Sequence, residues 1–198
     1  MFPKSEVFVI ESANFEDEEE EDRLEGEILC DILRLSGKEP LYYYLRTEAE
    51  FEEILDLFKK SNYRYLHLSC HGDSESLATT LDVIEFPVLG AMLKPYLKGR
   101  RLFVSACDAV NENLVRALMP GSGCESILGP HQEITFDDAA VMWALFYHLM
   151  FRDNSARMRS RDIRQILDEV VDLFEVPVAF CDSEKSSREG YQLEIFGG

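Results

Sequence analysis

The chain has 198 residues, 46% of them hydrophobic, and a formal net charge of −18. This length supports one sizeable core, so we expect a single domain spanning residues 1–198. The negative field disfavours nucleic acid and anionic membrane surfaces as partners. No window approaches the ~18 consecutive apolar residues of a membrane-spanning helix, and the apolar run at 7–10 is too short for a signal peptide.

The cysteines are odd in number and scattered, without the repeated CxxC spacing of a zinc ribbon or a disulfide framework. They are Cys30, Cys70, Cys107, Cys124 and Cys181. Such a set fits a reducing compartment, so we expect a cytoplasmic protein. Most of these thiols are expected to fill the core.

The first half of the chain alternates short apolar runs with helical stripes, which indicates a β-α-β-α-β order. The runs are VFVI (7–10), LYYYL (41–45) and YRYLHLSC (63–70). Between them, two sets of apolar residues each share one helical face: Leu24, Ile28, Ile32 and Leu35, then Phe51, Ile54, Leu55 and Phe58. Gly37 and Pro40 are stop signals after the first helix.

The second half continues the alternation. Helices are predicted around 87–99, with a break at Pro95, and at 111–119, 134–152 with Thr135 as N-cap, and 160–174. Strands are predicted at 101–107, 125–130, 176–180 and 191–196. The pattern predicts an α/β protein, a three-layer α-β-α sandwich whose mostly parallel central sheet has about six strands.

One segment has a biased composition, the run FEDEEEED at 15–22 with seven carboxylates. A solvated loop or the start of a helix explains such a run, because the helix dipole stabilises negative charge there. The alternative is an acidic rim that attracts basic substrates or a basic partner.

Two strands end in residues that can carry chemistry. YRYLHLSC leads to His71 and Gly72, and RLFVSAC ends in Cys107. Functional groups of parallel α/β sheets collect beyond the carboxyl ends of the strands, so we expect an imidazole and a thiol at one edge. The backbone amides of Gly72 and Cys107 are candidates for an oxyanion hole.

The segments HLSCHGD and LFVSACDA resemble the His-Gly and Cys boxes of caspase-like cysteine peptidases, and most closely those of the bacterial CHAT-domain branch. The resemblance spans nearly the whole chain, including the short strand and buried helix of ESILGPHQEITFDDAAVMWALFYHLM. The histidine precedes the cysteine by 36 residues, an order compatible with caspase-type architecture.

The resemblance implies a cysteine endopeptidase with Cys107 as nucleophile and His71 as its catalytic partner. The amides of Gly72 and Cys107 would hold the oxyanion, and the intermediate would be an acyl-enzyme on Cys107. It implies protein or peptide substrates, no cofactor and no metal. It also implies a regulatory partner that activates a bacterial defence or signalling effector.

Residues around the two boxes are expected to bind the substrate. In the wider clan the residue two before the nucleophile helps to form the pocket for the P1 side chain, and here it is Ser105. Glu11 and the acidic run at 16–22 would favour a basic P1 residue, and Asp73 and Asp108 follow the two boxes closely. The chain lacks the glycine that follows the nucleophile in caspases and metacaspases.

Two alternatives stay open. The first is a pseudoprotease, a CHAT-like interaction module that keeps the fold without turnover. The second is a zinc site built from His67, Cys70, His71 and Cys107. Strand alternation argues against zinc, because it directs Cys70 to the face opposite the histidines and into the core. His67, deeper in the strand, is expected to be a core histidine.

Overall fold

The computed structural model describes residues 3–16, 24–152 and 157–197. Ten strands are present in this part of the chain. They are β1 (Lys4–Glu11), β2 (Leu41–Tyr44), β3 (Tyr63–Ser69), β4 (His71–Gly72), β5 (Ser76–Ala78), β6 (Val83–Glu85), β7 (Arg101–Ser105), β8 (Ser126–Pro130), β9 (Val178–Ser183) and β10 (Tyr191–Phe196). Seven of them form the main sheet, in the order β10-β9-β8-β7-β3-β1-β2.

The main sheet is mostly parallel, as predicted. Strands β2, β1, β3, β7 and β8 run parallel, and β9 and β10 pair antiparallel at one edge. A second sheet, of order β4-β5-β6, was not predicted. Its strands have only two or three residues each, too few to show a hydrophobic period.

Helices cover both faces of the main sheet. They are α1 (Glu25–Leu35), α2 (Glu48–Ser61), α3 (Phe86–Leu93), α4 (Glu112–Leu118), α5 (Phe136–Arg152) and α6 (Ser160–Phe174). Buried residues of α2, α3 and α4 form one core with the sheet, and those of α1, α5 and α6 form another. The three-layer α-β-α sandwich is therefore confirmed.

Strand alternation assigns side chains to these two cores. In β1, Phe8 and Ile10 face the core of α2, α3 and α4, whereas Val7 and Val9 face the core of α1, α5 and α6. In β3 the same alternation places Tyr65 in the core beneath α1 and α5, and His67 packs against Trp143 of α5. The layer of α1 and α5 therefore covers the histidine face of β3.

The buried face of α1 differs from the predicted one. Ile28 is 42% exposed and Leu35 85% exposed, whereas Leu29 and Leu33 are buried. The helix begins at Glu25, which is itself buried and shares this face. Gly26, Leu29, Cys30 and Leu33 form a second apolar stripe beside the predicted one, and this second stripe is the one that faces the core.

Other helix predictions are confirmed. The stripe on α2 is buried at its four predicted positions, and α3 gives way to a 3-10 turn at Lys94–Tyr96, where Pro95 lies. The amide of Asp138 donates a hydrogen bond to Thr135 Oγ1 at 3.4 Å, as an N-cap requires. Within the described residues, no helix combines the length and apolar character needed to cross a membrane.

Candidate active site

Strands β3 and β7 lie side by side and end at the same edge of the main sheet. Ser69 is paired with Ser105, and the Cys70 amide donates a hydrogen bond to the Ser105 carbonyl at 3.0 Å, which extends the ladder by one step. His71 and Cys107 each lie two residues beyond their strand. The pairing therefore delivers the imidazole and the thiol to one edge, as the strand order predicts.

A cavity of about 140 Å³ lies at this edge, and both residues line it. Its wall is formed by the ends of β1, β3 and β7 and by the N-terminal parts of α1 and α5. The lining residues are Glu11, Ser12, Ala13, Glu25, Ser69, Cys70, His71, Ser105, Cys107, Ile134, Phe136 and Ala139. Four predicted site residues, His71, Cys107, Ser105 and Glu11, thus meet around one cavity.

The Cys107 thiol is partly exposed and donates a hydrogen bond to the Ile134 carbonyl, with 3.5 Å between sulfur and oxygen. Burial raises the pKa of the other thiols to about 12, so they stay protonated at neutral pH. These are Cys30, Cys70, Cys124 and Cys181. A buried, protonated thiol is a poor nucleophile, which agrees with a core-filling role for these cysteines.

His71 is exposed at the mouth of the cavity. Its Nε2 lies 3.1 Å from Nδ2 of Asn14, which follows β1. An amide nitrogen only donates, so in this arrangement Nε2 accepts and Nδ1 carries the proton of the neutral ring. Asn14 was not predicted as a site residue; its position just past a strand that ends at the same edge was the available signal.

Gly72 packs closely against Ala106, the residue that precedes Cys107. A Cβ at this position would lie 3.0 Å from Ala106 Cβ and 3.0 Å from Leu77 Cδ2, closer than side chains normally approach. Glycine thus lets the backbone of β4 lie against the Cys107 loop. The oxyanion-hole role of the Gly72 and Cys107 amides stays a prediction.

Glu11 is buried at the end of β1, and its carboxylate is held by three donors. Oε1 accepts from the Gly26 amide at 2.9 Å and from Ser69 Oγ at 3.4 Å, and Oε2 accepts from the Tyr42 hydroxyl at 2.8 Å. Burial raises its pKa from 4.5 to about 7, against the lowering effect of these hydrogen bonds, and the negative charge of Glu25 adds to the rise.

Glu25 is a second carboxylate in the cavity wall, which sequence analysis missed. It is only 4% exposed. Its Oε2 accepts a hydrogen bond from Ser105 Oγ at 2.8 Å, whereas Oε1 lies 3.5 Å from His67 Nε2 and makes no hydrogen bond. Ser105 therefore contributes to the cavity by positioning Glu25. The spacing of polar residues does not indicate Glu25, because this residue begins a buried stripe of α1 whose other members are apolar.

His67 is a core histidine, as predicted. Its Nδ1 lies 3.2 Å from the Tyr147 hydroxyl, and its ring packs edge-on against Trp143 at 4.9 Å. Cys70 packs against the core on the opposite face of the sheet. Across residues 3–16, 24–152 and 157–197, no three His, Cys, Asp or Glu side chains are grouped to hold a metal ion. The zinc alternative therefore lacks a ligand set in this part of the chain.

Asp73 and Asp108 lie outside the wall of this cavity. Asp73 Oδ1 accepts hydrogen bonds from the amides of Glu75 and Ser76 at 2.8 and 2.7 Å, which lowers the pKa of Asp73 and stabilises the β4–β5 turn. Asp108 has a left-handed backbone with φ 51°. Contact of either side chain with a substrate stays a prediction.

Solved structures of cysteine proteases share this fold. Arg-specific cysteine proteinase gingipain R has 12% identity and a TM-score of 0.55 over 86% of this chain and 43% of its own. A secreted C11 cysteine protease from Bacteroides thetaiotaomicron, bound to an irreversible peptide inhibitor, has 12% identity and a TM-score of 0.52 over 90% and 66%. A structure of iotapain, from the same organism, has 11% identity and a TM-score of 0.54 over 92% and 67%.

At these identities the likeness concerns the fold, and this chain spans less than half of the gingipain chain. No family model matches the sequence, and no curated protein matches it either. These cysteine proteases thus share the mixed α/β fold with its mostly parallel seven-stranded sheet.

Proposed function

We propose that the chain is a caspase-like cysteine peptidase domain of the CHAT type, spanning residues 1–198, with Cys107 as nucleophile and His71 as general acid and base. The observation that carries the proposal is the meeting of these two residues at one cavity, at the carboxyl edge of a protease-like sheet. Protein or peptide substrates follow from the same fold.

In the proposed reaction, Cys107 Sγ attacks the carbonyl carbon of the scissile peptide bond, and the thiol proton passes to His71. The amides of Gly72 and Cys107 donate to the oxyanion. His71 then protonates the leaving amine as the C–N bond breaks, which leaves a thioester on Cys107. Water, deprotonated by His71, hydrolyses the thioester and regenerates the thiol.

The cavity supports a preference for a basic P1 side chain. It holds two carboxylates, and Glu25 Oε1 is buried without a hydrogen-bond donor. A lysine or arginine side chain would supply that donor and a positive charge. Glu11 and Glu25 together would make this part of the cavity wall negative, which favours a cationic side chain. The Arg-specific gingipain R, a fold neighbour, agrees with this preference.

The proposal includes activation by a partner protein. In the structure the Cys107 thiol is bound to the Ile134 carbonyl, and His71 Nε2 is close to Asn14. Both reacting groups are thus engaged by the protein's own atoms, and a partner that shifts the Ile134 loop would release the thiol. The CHAT resemblance supports a bacterial defence or signalling effector, and the scattered thiols support a cytoplasmic location.

The test is mass spectrometry of the intact protein after reaction with peptide chloromethyl ketones that carry Arg, Lys or Asp at P1. We expect one adduct per chain, mapped to Cys107, formed with the Arg and Lys reagents. Cys107→Ala should abolish it, and His71→Ala should slow it by at least about 100-fold. Cys70→Ala is the matched control and should react like the wild type, because the Cys70 thiol that it removes has a pKa of about 12.

The same reagents test the P1 pocket. Glu25→Gln should reduce the rate with the Arg reagent by about 100-fold, because a buried cation would lose its counter-charge. Glu52→Gln, exposed on α2, should change nothing. Equal slow reaction of all thiols in every variant would contradict an activated nucleophile in the isolated chain, and it would leave the pseudoprotease alternative or a peptidase that reacts only with its activating partner.

A further inference from the structure

Helix α3 has an unusual composition for a helix at the protein surface. Its sequence, FPVLGAML, contains no charged or polar side chain, although 29% of the residues in the chain are charged. A helix that is apolar all round is normally covered on every side. Here only one side is buried, at Phe86, Leu89, Gly90 and Leu93. The other side of α3 is therefore an apolar surface that needs an explanation.

The exposed side of α3 forms a continuous apolar stripe in the described part of the chain. It consists of Pro87, Val88, Ala91, Met92 and Pro95, of which Met92 is partly buried and the others are exposed. Pro95 lies in the 3-10 turn that continues the helix. Residues three or four apart share one face of a helix, so these side chains lie side by side. Exposed apolar patches of this kind mark interaction surfaces, and methionine adapts well to a bound partner.

An open groove of about 480 Å³ lies between this stripe and α2. Ala91, Met92 and Pro95 line one side of it, and three carboxylates of α2 line the other, those of Glu52, Glu53 and Asp56. Among the described residues, the groove shares no lining residue with the cavity of Cys107. The groove thus combines an apolar wall with an acidic one, away from the proposed active site.

The three carboxylates are exposed and have no counter-ion among the described residues. Asp56 accepts a hydrogen bond from the neutral Tyr96 hydroxyl at 3.0 Å. Partial burial raises the pKa of Tyr96, and the hydrogen bond to Asp56 and the charges of Asp56 and Glu52 add to the rise. Lys59 Nζ lies 5.7 Å from the centre of the Tyr96 ring, outside ion-pair range of the carboxylates. The α2 wall of the groove is therefore negative.

We propose that this groove binds a basic amphipathic helix of a partner protein. Its apolar side chains would pack on the stripe of α3, and its lysine or arginine side chains would pair with the carboxylates of α2. An amphipathic helix carries such groups on adjacent faces, with anchors three, four and seven residues apart, which is the spacing of the stripe. The negative wall selects a basic partner by charge complementarity. The surface goes beyond the proposed peptidase and does not depend on it.

Fluorescence anisotropy with a dye-labelled peptide tests the surface. The probe is a designed helical peptide of about 15 residues, with leucines on one face and lysines beside them. It is titrated with the full chain at about 0.15 M sodium chloride, where exposed charges more than about 8 Å apart are largely screened. We expect saturable binding of one peptide per chain with a micromolar Kd. A peptide of the same composition but scrambled order, which has no apolar face, should bind more weakly.

Variants of the acidic wall test the charge complementarity. The double variant Glu52→Gln/Glu53→Gln should weaken binding of the probe about fivefold, because two exposed ion pairs are lost. The matched control is Asp168→Asn/Glu169→Gln, which removes the same charge from exposed positions of α6 and should bind like the wild type. Equal weakening by both double variants would overturn the site, because it would reflect general attraction to an acidic chain.

A variant of the apolar wall tests the other half of the surface. Val88 is 43% exposed, so Val88→Gln should fold normally and weaken binding of the probe about fivefold. Leu173→Gln, at a 69% exposed position of α6, is the control and should bind like the wild type. The absence of saturable binding, or binding that Val88→Gln leaves unchanged, would overturn the site.

Sedimentation velocity of the wild type over a range of concentrations examines a different occupant, a second copy of the chain. We expect a monomer for the wild type and for Val88→Gln alike. Dimerisation that Val88→Gln abolishes would assign the stripe of α3 to self-association and would overturn the basic partner.

Discussion

Glu11 and Glu25 are two carboxylates in one cavity wall with different surroundings. Glu11 has three donors from the protein and a pKa raised to about 7 by burial, whereas Glu25 keeps one oxygen without a hydrogen bond. From the sequence, Glu11 was predicted to line the pocket that binds a basic P1 side chain. The hydrogen bonds give Glu11 a further role, as the acceptor that anchors the Gly26 amide at the start of α1 to the end of β1.

The raised pKa of Glu11 makes a pH-dependent contribution to stability. Because the folded state keeps the proton up to about pH 7, this contribution is complete below pH 4.5 and is lost as pH rises through 7. Glu11→Gln removes the titration. We therefore expect its free energy of unfolding, relative to wild type, to rise by about 3 kcal/mol from pH 4 to pH 8.

Urea denaturation of the variant and the wild type at each pH measures this difference in the free energy of unfolding. Taking the difference cancels the contribution of the other titratable groups. Glu52→Gln, an exposed carboxyl of α2, is the control and should show a constant difference from wild type. A constant difference for Glu11→Gln as well would mean that the Glu11 carboxyl titrates alike in the folded and unfolded chains.

At the scale of elements, the helix layer of α2, α3 and α4 depends on close packing. Gly90 of α3 lies against the backbone of α4, and a Cβ there would lie 2.5 Å from the Ala117 carbonyl oxygen. Helix α3 directly follows β6 of the small sheet, so a shift of α3 would also act on the end of β6.

Gly90→Ala should destabilise the protein by about 1–2 kcal/mol. The cost of overpacking, about 1–3 kcal/mol, exceeds the gain in helix propensity of about 1 kcal/mol. Thermal denaturation measures the change, and Val88→Ala, at a half-exposed position of α3, is the control, expected within about 0.5 kcal/mol of wild type. A stabilised Gly90→Ala would show that α3 and α4 separate freely.

Much of the element order could be predicted, because the period of apolar residues reflects local backbone geometry. The stripe of α2 is one example, and the strands predicted at 63–70 and 101–107 are others, although they end in the structure at Ser69 and Ser105. The rotation of α1 could not be predicted, since the helix carries two neighbouring apolar stripes and only its packing in the fold selects the one that includes Leu29 and Leu33. The small sheet escaped prediction because its strands are too short to show a period.

At the scale of the whole molecule, charge is the dominant feature. A net charge of −18 produces self-repulsion that opposes the compact state. Ion pairs around Arg101, the first residue of β7, counter it locally, and they join Arg101 in one network with Arg64, Glu125, Asp182 and Arg164. Salt screens both the self-repulsion and the ion pairs. Whether added salt raises or lowers stability therefore reveals which of the two is larger.

We expect the midpoint of thermal unfolding to rise by about 3 °C between 20 and 200 mM sodium chloride. The Debye length is about 10 Å at 0.1 M salt, so salt weakens the repulsion between distant charges more than it weakens the part-buried ion pairs. Differential scanning calorimetry measures the shift, with sucrose at equal osmolality as the control for non-ionic effects. A lower midpoint in salt would mean that the ion-pair network dominates.

By itself the sequence determined the α/β class, the order of the main strands and the two boxes that end in His71 and Cys107, because strand and helix periods are local properties of the chain. Only the tertiary structure brought Asn14 to His71, Ile134 to Cys107 and Glu25 to Ser105. Those contacts join residues 27 to 80 positions apart, and they depend on how helices and loops pack over the sheet edge. A repeating pattern of apolar residues does not indicate such long-range contacts, because they form only when elements far apart in sequence pack together in the folded core.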